Sequence, residues 1–329
     1  MRVAVIGAGA VGLALGSCLA AAGERPRFVV RDEATARLLE SKGLRRSGIF
    51  GEQRAEPDAI EVCRSIPALA RDPIVSIDPI KPINLILVCT KTHDSKAVAE
   101  ALAAAWPELP GEPRVVLCQN GWGNAELFAR HLPRERIYSA RVITGFRRTA
   151  PNAVEVTVHA DAIHVGSLFD ADLAPVEELC RAIAVGGIPC APSREIAKDL
   201  WAKVLYNCLL NPLGALVGVP YGVLGEREET RAIMQAVAGE VFAVMAGAGF
   251  ETHWPTADVY LESFYAELLP ATALHESSML QDLRAGRRTE IDAISGAVAQ
   301  LAAQHGMPAP LNGALATLIR GAETRKERG

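Results

Sequence analysis

The chain has 329 residues, more than one ordinary domain, and half its side chains are apolar, enough for sizeable cores and against a disordered chain. Its formal charge is −4 with Lys and Arg scattered, which argues against a nucleic-acid partner. Seven well-separated cysteines without a CxxC pair, and seven histidines without an HExxH, argue against a disulfide framework or a metal site and for a reducing, cytoplasmic setting.

In chain order, RVAVI (Arg2 to Ile6) predicts a buried strand, and Ala10 to Ala22 a helix closed at Gly23. The apolar stretch Val3 to Ala22, with Arg2 before it and LGSC at Leu15 to Cys18 within it, loosely imitates a secretory or lipoprotein signal. Glycines at Gly7, Gly9, Gly12 and Gly16 weigh against that, because a signal helix has no use for them. RFVVR (Arg27 to Arg31) predicts a second strand and Glu33 to Ser41 a second helix, while residues 64–83 form a Pro-containing connection of no assigned structure. LILVCT is a later strand with a helix from about Asp94 to Ala105. RVVLCQ is another, ending at Asn120-Gly121, with a helix from about Asn124 to His131. Further β-type runs cover 137–144, 153–159 and 162–166. Strands alternating with helices predict a doubly wound parallel sheet.

From about Ser193 the texture turns helical, with predicted helices over 195–210, 225–249, 255–268, 275–285, 290–305 and 311–323 and a break at Pro212. The apolar run Val204 to Val219 contains Asn207, Asn211 and Pro212, too polar and too short for a membrane span. The basic end RKERG reads as a frayed terminus. The fold class expected is α/β: an N-terminal Rossmann-type domain over residues 1–192, then an all-α domain over 193–329.

GAGAVG (Gly7, Ala8, Gly9, Ala10, Val11, Gly12) follows the first strand and opens the first helix. The spacing suits a tight turn, close backbone approach to a pyrophosphate, and a helix N-terminus aimed at phosphate. A ligand-free strand-to-helix turn is the plainer alternative. Where the second strand ends, an acid selects a ribose 2′-hydroxyl and an arginine a 2′-phosphate. Arg31 stands at that end and Asp32 starts the following turn, which favours NADP(H) over NAD(H).

In the helix AKDLWAKVLYNCLLNP, Lys203, Asn207 and Asn211 recur at i, i+4 and i+8 on one face among apolar neighbours. A buried polar group without a partner costs about 1–3 kcal/mol, so this stripe predicts a polar ligand, water or other side chains opposite it. Singly, Asn211 could cap a helix break before Pro212 and Lys203 could be solvated.

These features together resemble the ketopantoate reductase family (2-dehydropantoate 2-reductases). GAGAVG, CTK ending at Lys91, QNG at Gln119 to Gly121, LWAKVLYNCLLNPLGAL, and SSMLQDLRAGRRTEIDAISG from Ser277 to Gly296 carry the likeness, which runs from Met1 to about Glu323. The resemblance implies an NADPH-dependent oxidoreductase that reduces a small 2-oxo acid, 2-dehydropantoate in pantothenate biosynthesis. It also implies a second domain similar to that of 6-phosphogluconate dehydrogenases. By the same resemblance Lys203 corresponds to the proton donor, Asn207 and Asn211 to substrate-binding amides, and Ser278 to a hydroxyl near the substrate carboxylate. Asn120 corresponds to a residue beside nicotinamide and substrate, Lys91 to a cofactor contact, and Glu290 to an active-site carboxylate at the nicotinamide end. Two positions depart from the better-known members: Tyr221 and His275 stand where those members have asparagines, and both bear on substrate identity.

Each assignment has a plainer alternative. Glu290 could be first-turn charge on a helix dipole, Ser278 a helix-start hydroxyl, Lys91 a solvated strand-end lysine, and Asn120-Gly121 a simple turn. A paralogous NAD(P)-dependent dehydrogenase of another 2-oxo or hydroxy acid and a non-catalytic NADPH sensor are the competing functions. Oligomeric state, a homodimer included, is left open.

Overall fold

The computed structural model describes residues 1–70, 84–109, 111 and 113–324. Most of the connection at 64–83 and the RKERG end therefore lie outside the described residues. The chain divides into two compact units, one of Met1–Gln119 with Asn124–Ile196, the other of Asn120–Gly123 with Ala197–Gly329.

The first unit opens with β1 (Val3–Ile6), α1 (Ala10–Ala21), β2 (Arg27–Val29) and α2 (Glu33–Lys42). Next come β3 (Leu44–Gly48), β4 (Gln53–Ala55), β5 (Glu61–Cys63), β6 (Leu85–Val88), α3 (Ser95–Ala105), β7 (Arg114–Leu117) and α4 (Asn124–Phe128). It closes with β8 (Ile137–Arg141), β9 (Thr144–Ala150), β10 (Ala153–His159), β11 (Ile163–Gly166), α5 (Ala174–Val185) and β12 (Cys190–Pro192).

The main sheet runs β12-β11-β8-β7-β6-β1-β2-β5. From β5 to β8 every neighbouring pair is parallel. With these strands numbered by chain position the order is third, second, first, fourth, fifth, sixth, which is the Rossmann arrangement. β11 then pairs antiparallel with β8, and β12 parallel with β11. Apolar runs such as VAVI and LILV are buried on both faces: Val3, Val5, Leu85 and Leu87 enter one core, Ala4, Ile6, Ile86 and Val88 the other. That two-sided burial is why these strands read as continuous apolar runs.

A second, four-stranded sheet of order β4-β3-β10-β9 has no counterpart in the elements expected over residues 44–55. β3 is LRRSG, and its inward Arg46 is 1% exposed, donating to Gly186 O at 2.8 Å and to Cys18 Sγ at 2.7 Å. An arginine on the buried side erases the polar–apolar alternation that marks a half-buried strand. The first unit also extends past 192, because Ser193 N donates to Val165 O and continues the edge pairing of β12.

The second unit holds α6 (Ile196–Val217), α7 (Tyr221–Glu226), α8 (Glu228–Gly247) and α9 (Ala257–Ser263). After a π turn over Phe264–Leu268 come α10 (Leu269–Ala271), α11 (Ser278–Arg284), α12 (Ser295–Gln304) and α13 (Pro310–Thr324). α6 does not break at Pro212 but carries it inside the helix. An interior proline costs about 3 kcal/mol. Leu205, Leu209, Leu210 and Leu213, all nearly inaccessible, each stabilise the helix by roughly 1.5–3 kcal/mol, so burial wins. Among the described residues α6 alone has the length and apolarity to cross a membrane, yet 72% of its most apolar window is buried. Packing consumes that surface.

Candidate active site

In the first unit, the turn from β1 to α1 carries Gly7, Ala8, Gly9, Ala10, Val11 and Gly12. A Cβ at Gly12 would run into the Gly7 carbonyl and the Cys89 side chain, so only glycine lets helix and strand come so close. At Gly9 a Cβ would find only Cys89 O within 4 Å, at 3.9 Å, which leaves the approach to the backbone open. Gly9 is the N-cap, with no side-chain cap, and no acidic residue stands in the first turn. The first helical hydrogen bond is Leu13 N to Gly9 O at 2.9 Å. The N–H groups before it and the helix dipole therefore suit a pyrophosphate. This turn sits where the strand order reverses between β1 and β6, the position at which such sheets bind ligands.

The second strand ends sooner than RFVVR suggests, at Val29, and the chain then passes through Arg31 and Asp32. Asp32 is the N-cap of α2 and accepts from Thr35 N at 2.8 Å. Hydrogen bonding with the Thr35 side chain first, and then with its backbone N–H, holds the Asp32 carboxyl below the ordinary aspartate value. Arg31 is 75% exposed and its Nη2 donates to Asp94 Oδ2 at 2.8 Å. Asp94 N in turn donates to Lys91 O at 3.0 Å, so Arg31 and Lys91 belong to one connected group beside the switch point. The acid at the strand end is occupied by capping, and the guanidinium faces outward.

Gln119, read from the sequence only as part of QNG, is 6% exposed and ties the ends of β6 and β7 together. Its Nε2 donates to Thr90 O at 3.1 Å and to Ser95 Oγ at 2.9 Å. A buried amide at a strand's C-terminal end was the signal available for it.

In the second unit, Lys203, Asn120 and Glu290 come together although 83 and 170 residues separate them. Lys203 Nζ donates to Asn120 Oδ1 at 2.5 Å, and Asn120 Nδ2 donates to Glu290 Oε2 at 3.0 Å. Glu290 is 7% exposed, and Lys203 and Asn120 are partly buried. The turn that delivers Asn120 is locked in place. Gly121 has φ +84°, and a Cβ there would strike Ala293 O, while Trp122 N donates to that oxygen at 2.9 Å. Trp122 itself packs against Trp201 of α6 and Phe250, with ring centroids 4.6 and 4.8 Å away. Asn120-Gly121 is thus more than a simple turn.

Asn207 and Asn211 lie on the same unbroken helix as Lys203, and both are buried. Tyr221 OH donates to Asn211 Oδ1 at 2.6 Å, and burial pushes that phenol well above the ordinary tyrosine value, so it stays a donor. His275 packs on the Tyr221 ring at 5.3 Å, and burial pushes its imidazole below the ordinary value. Ser278 is exposed at the start of α11. The helix-start hydroxyl is Ser277, fully buried, which accepts from Leu280 N at 3.0 Å.

The chain matches two family models, ketopantoate reductase PanE/ApbA over residues 3–169 and ketopantoate reductase PanE/ApbA C terminal over residues 195–323. It is 30% identical over 326 residues to a 2-dehydropantoate 2-reductase of Aquifex aeolicus, covering 98% of this chain and 97% of that one. Among solved structures, the PanE/ApbA family ketopantoate reductase of Ralstonia eutropha JMP134 is similar with a TM-score of 0.82 at 27% identity, over 99% of this chain and 100% of that one. A D-mandelate dehydrogenase solved with NADH and anilino(oxo)acetate shares the fold, with a TM-score of 0.81 at 21% identity over 98% and 99% of the two chains. By these matches, together with the Rossmann sheet and its glycine turn, the chain belongs to the ketopantoate reductase family and is an oxidoreductase that works with a nicotinamide cofactor.

Proposed function

We propose that this protein reduces 2-dehydropantoate to pantoate with NADPH, a cytoplasmic step of pantothenate biosynthesis. The observation that carries the proposal is the Lys203 ammonium held 2.5 Å from Asn120 Oδ1, on the buried face of α6 that also bears Asn207 and Asn211.

NADPH, when bound, supplies the hydride; Gly7 to Gly12 would cradle its pyrophosphate and Lys91 would contact it. Arg31 would take the 2′-phosphate, a role supported by its exposure and by the commitment of Asp32 to capping. Negative charge grows on the keto oxygen as the carbon is reduced. Lys203 answers that charge and gives up a proton to the oxygen. Asn120 holds the ammonium through its carbonyl and passes the constraint to Glu290 through its amide N–H. Asn207 and Asn211 can hydrogen-bond the substrate's polar groups, and Ser278 can donate to its carboxylate.

One observation favours a second reading, a different 2-oxo acid as the physiological substrate. Tyr221 occupies the Asn211 amide oxygen, and together with His275 builds an aromatic corner there. The deciding experiment follows NADPH oxidation with 2-dehydropantoate beside a panel of branched and aromatic 2-oxo acids, comparing kcat/KM. Highest kcat/KM for 2-dehydropantoate is expected. A higher value for another acid selects the second reading, and tight NADPH binding without oxidation by any of them defeats both.

A further inference from the structure

Glu290 sits in a short segment, Arg288 to Ala293, that is anchored on either side of it. Just before it, Thr289 is 2% exposed, and both its N–H and its hydroxyl donate to Glu323 Oε1, at 2.8 and 2.6 Å. Just after it, the Asp292 carboxylate accepts from Arg320 Nε at 2.7 Å and from Arg288 Nη2 at 3.0 Å. Burial alone would raise the Asp292 carboxyl, but the bonds from Arg320 and Arg288 outweigh it and leave the group below its ordinary value. The far end is fixed by Ala293 O, which receives Trp122 N. Glu323 and Arg320 lie one turn apart on the same helix, α13.

Lys203 bonds to Asn120 and Asn120 to Glu290. Two charged side chains of one helix grip the residue before Glu290 and the second residue after it. The Thr289 bonds are strong ones, since a charged acceptor serves two donors. Their removal would also leave a buried backbone N–H and a buried hydroxyl to find new partners. A reaction centre needs its groups held within about 0.5 Å by a supporting shell, and a shift of about 1 Å can cost about 100-fold in rate.

We infer that Glu323 and Arg320 are positioning residues, which set where the Glu290 carboxylate stands and, through Asn120, where the Lys203 ammonium points. This rests on the assignment of Lys203 as proton donor. α13 is then part of the active-site architecture.

The test compares E323A, E323Q and R320A with K203A, measuring kcat, KM for NADPH and for 2-dehydropantoate, and melting temperature. The glutamine keeps a carbonyl oxygen for Thr289, so it should restore what alanine loses. Expected is a fall in kcat of roughly 10-fold to 100-fold for E323A, with the KM for NADPH within about 2-fold and E323Q within about 3-fold of wild type. R320A, which removes the more exposed anchor, should fall less, and it is the variant to read if E323A does not fold. Wild-type kcat in both E323A and R320A would overturn the inference, as would E323Q failing as badly as E323A. A crystal structure of E323A adds a readout without turnover: Glu290 Oε2 still bonded to Asn120 Nδ2 would overturn it too. Full activity in K203A would instead remove the proton-donor assignment, which the E323A structure does not touch, so the two failures are told apart.

Discussion

The phenol of Tyr221 donates to the side-chain oxygen of Asn211 at 2.6 Å, and both residues are 4% exposed. The bond orients the amide and takes one of the two acceptor sites on its oxygen, so its Nδ2 hydrogens are well placed to meet a carboxylate or keto oxygen. Y221F keeps the ring and removes the donor. It should cost about 1–3 kcal/mol of stability in urea denaturation, because the amide oxygen loses a buried partner. It should also raise the KM for the 2-oxo acid while leaving that for NADPH alone. An unchanged KM for the acid would separate this pair from substrate binding.

Arg31 is proposed to carry the choice between the two nicotinamide cofactors. R31A should raise the KM for NADPH by roughly 10-fold to 100-fold, the worth of a charge-assisted hydrogen bond to phosphate. The KM for NADH should stay put. Equal changes for both cofactors would place the 2′-phosphate elsewhere.

Lys203 is proposed to supply both charge and proton, so K203A should lower kcat by about 100-fold or more. NADPH binding, followed by the fluorescence of the reduced nicotinamide, should be nearly unaffected. Turnover close to wild type would mean that the proton comes from another group.

Gly121 is required twice over, by a backbone at φ +84° and by the approach of Ala293 O. G121A should lose at least about 1–2 kcal/mol from the left-handed conformation alone. The displaced 290–293 segment should also lower kcat. A variant as stable and as fast as the parent would contradict the close contact.

His275 is held below the ordinary histidine value by burial. A group bound to fewer protons when folded favours the folded state at pH above its unfolded value, and that advantage fades as pH falls through the folded value. Stability should therefore decline as pH drops from near 6.5. H275Q should flatten that part of the profile in thermal melts from pH 7 to pH 5. An unchanged slope would assign the acid sensitivity to other groups.

The turn at Gly7 to Gly12, the strands VAVI and LILV, and the common face of Lys203, Asn207 and Asn211 are all legible in the linear chain. Each is dictated by neighbours within a few residues: steric demands of a tight turn, two-sided burial of a strand, the repeat of a helix. Pro212 shows the limit of such local rules, since its break is overridden by leucines buried along α6. The inward Arg46 likewise hid β3 by standing where an apolar residue was expected.

Asn120 follows the end of β7 yet groups with the helical unit, where it bridges Lys203 and Glu290. Glu323, 34 residues beyond Thr289, anchors the segment that carries Glu290. Tyr221 takes up the oxygen of Asn211. A chain's periodicity records which side of an element is buried, and it carries no record of which distant polar group waits there. Only the packing of the elements decided these partners, because a hydrogen bond depends on the meeting of two atoms within about 3 Å, however far apart they lie along the chain.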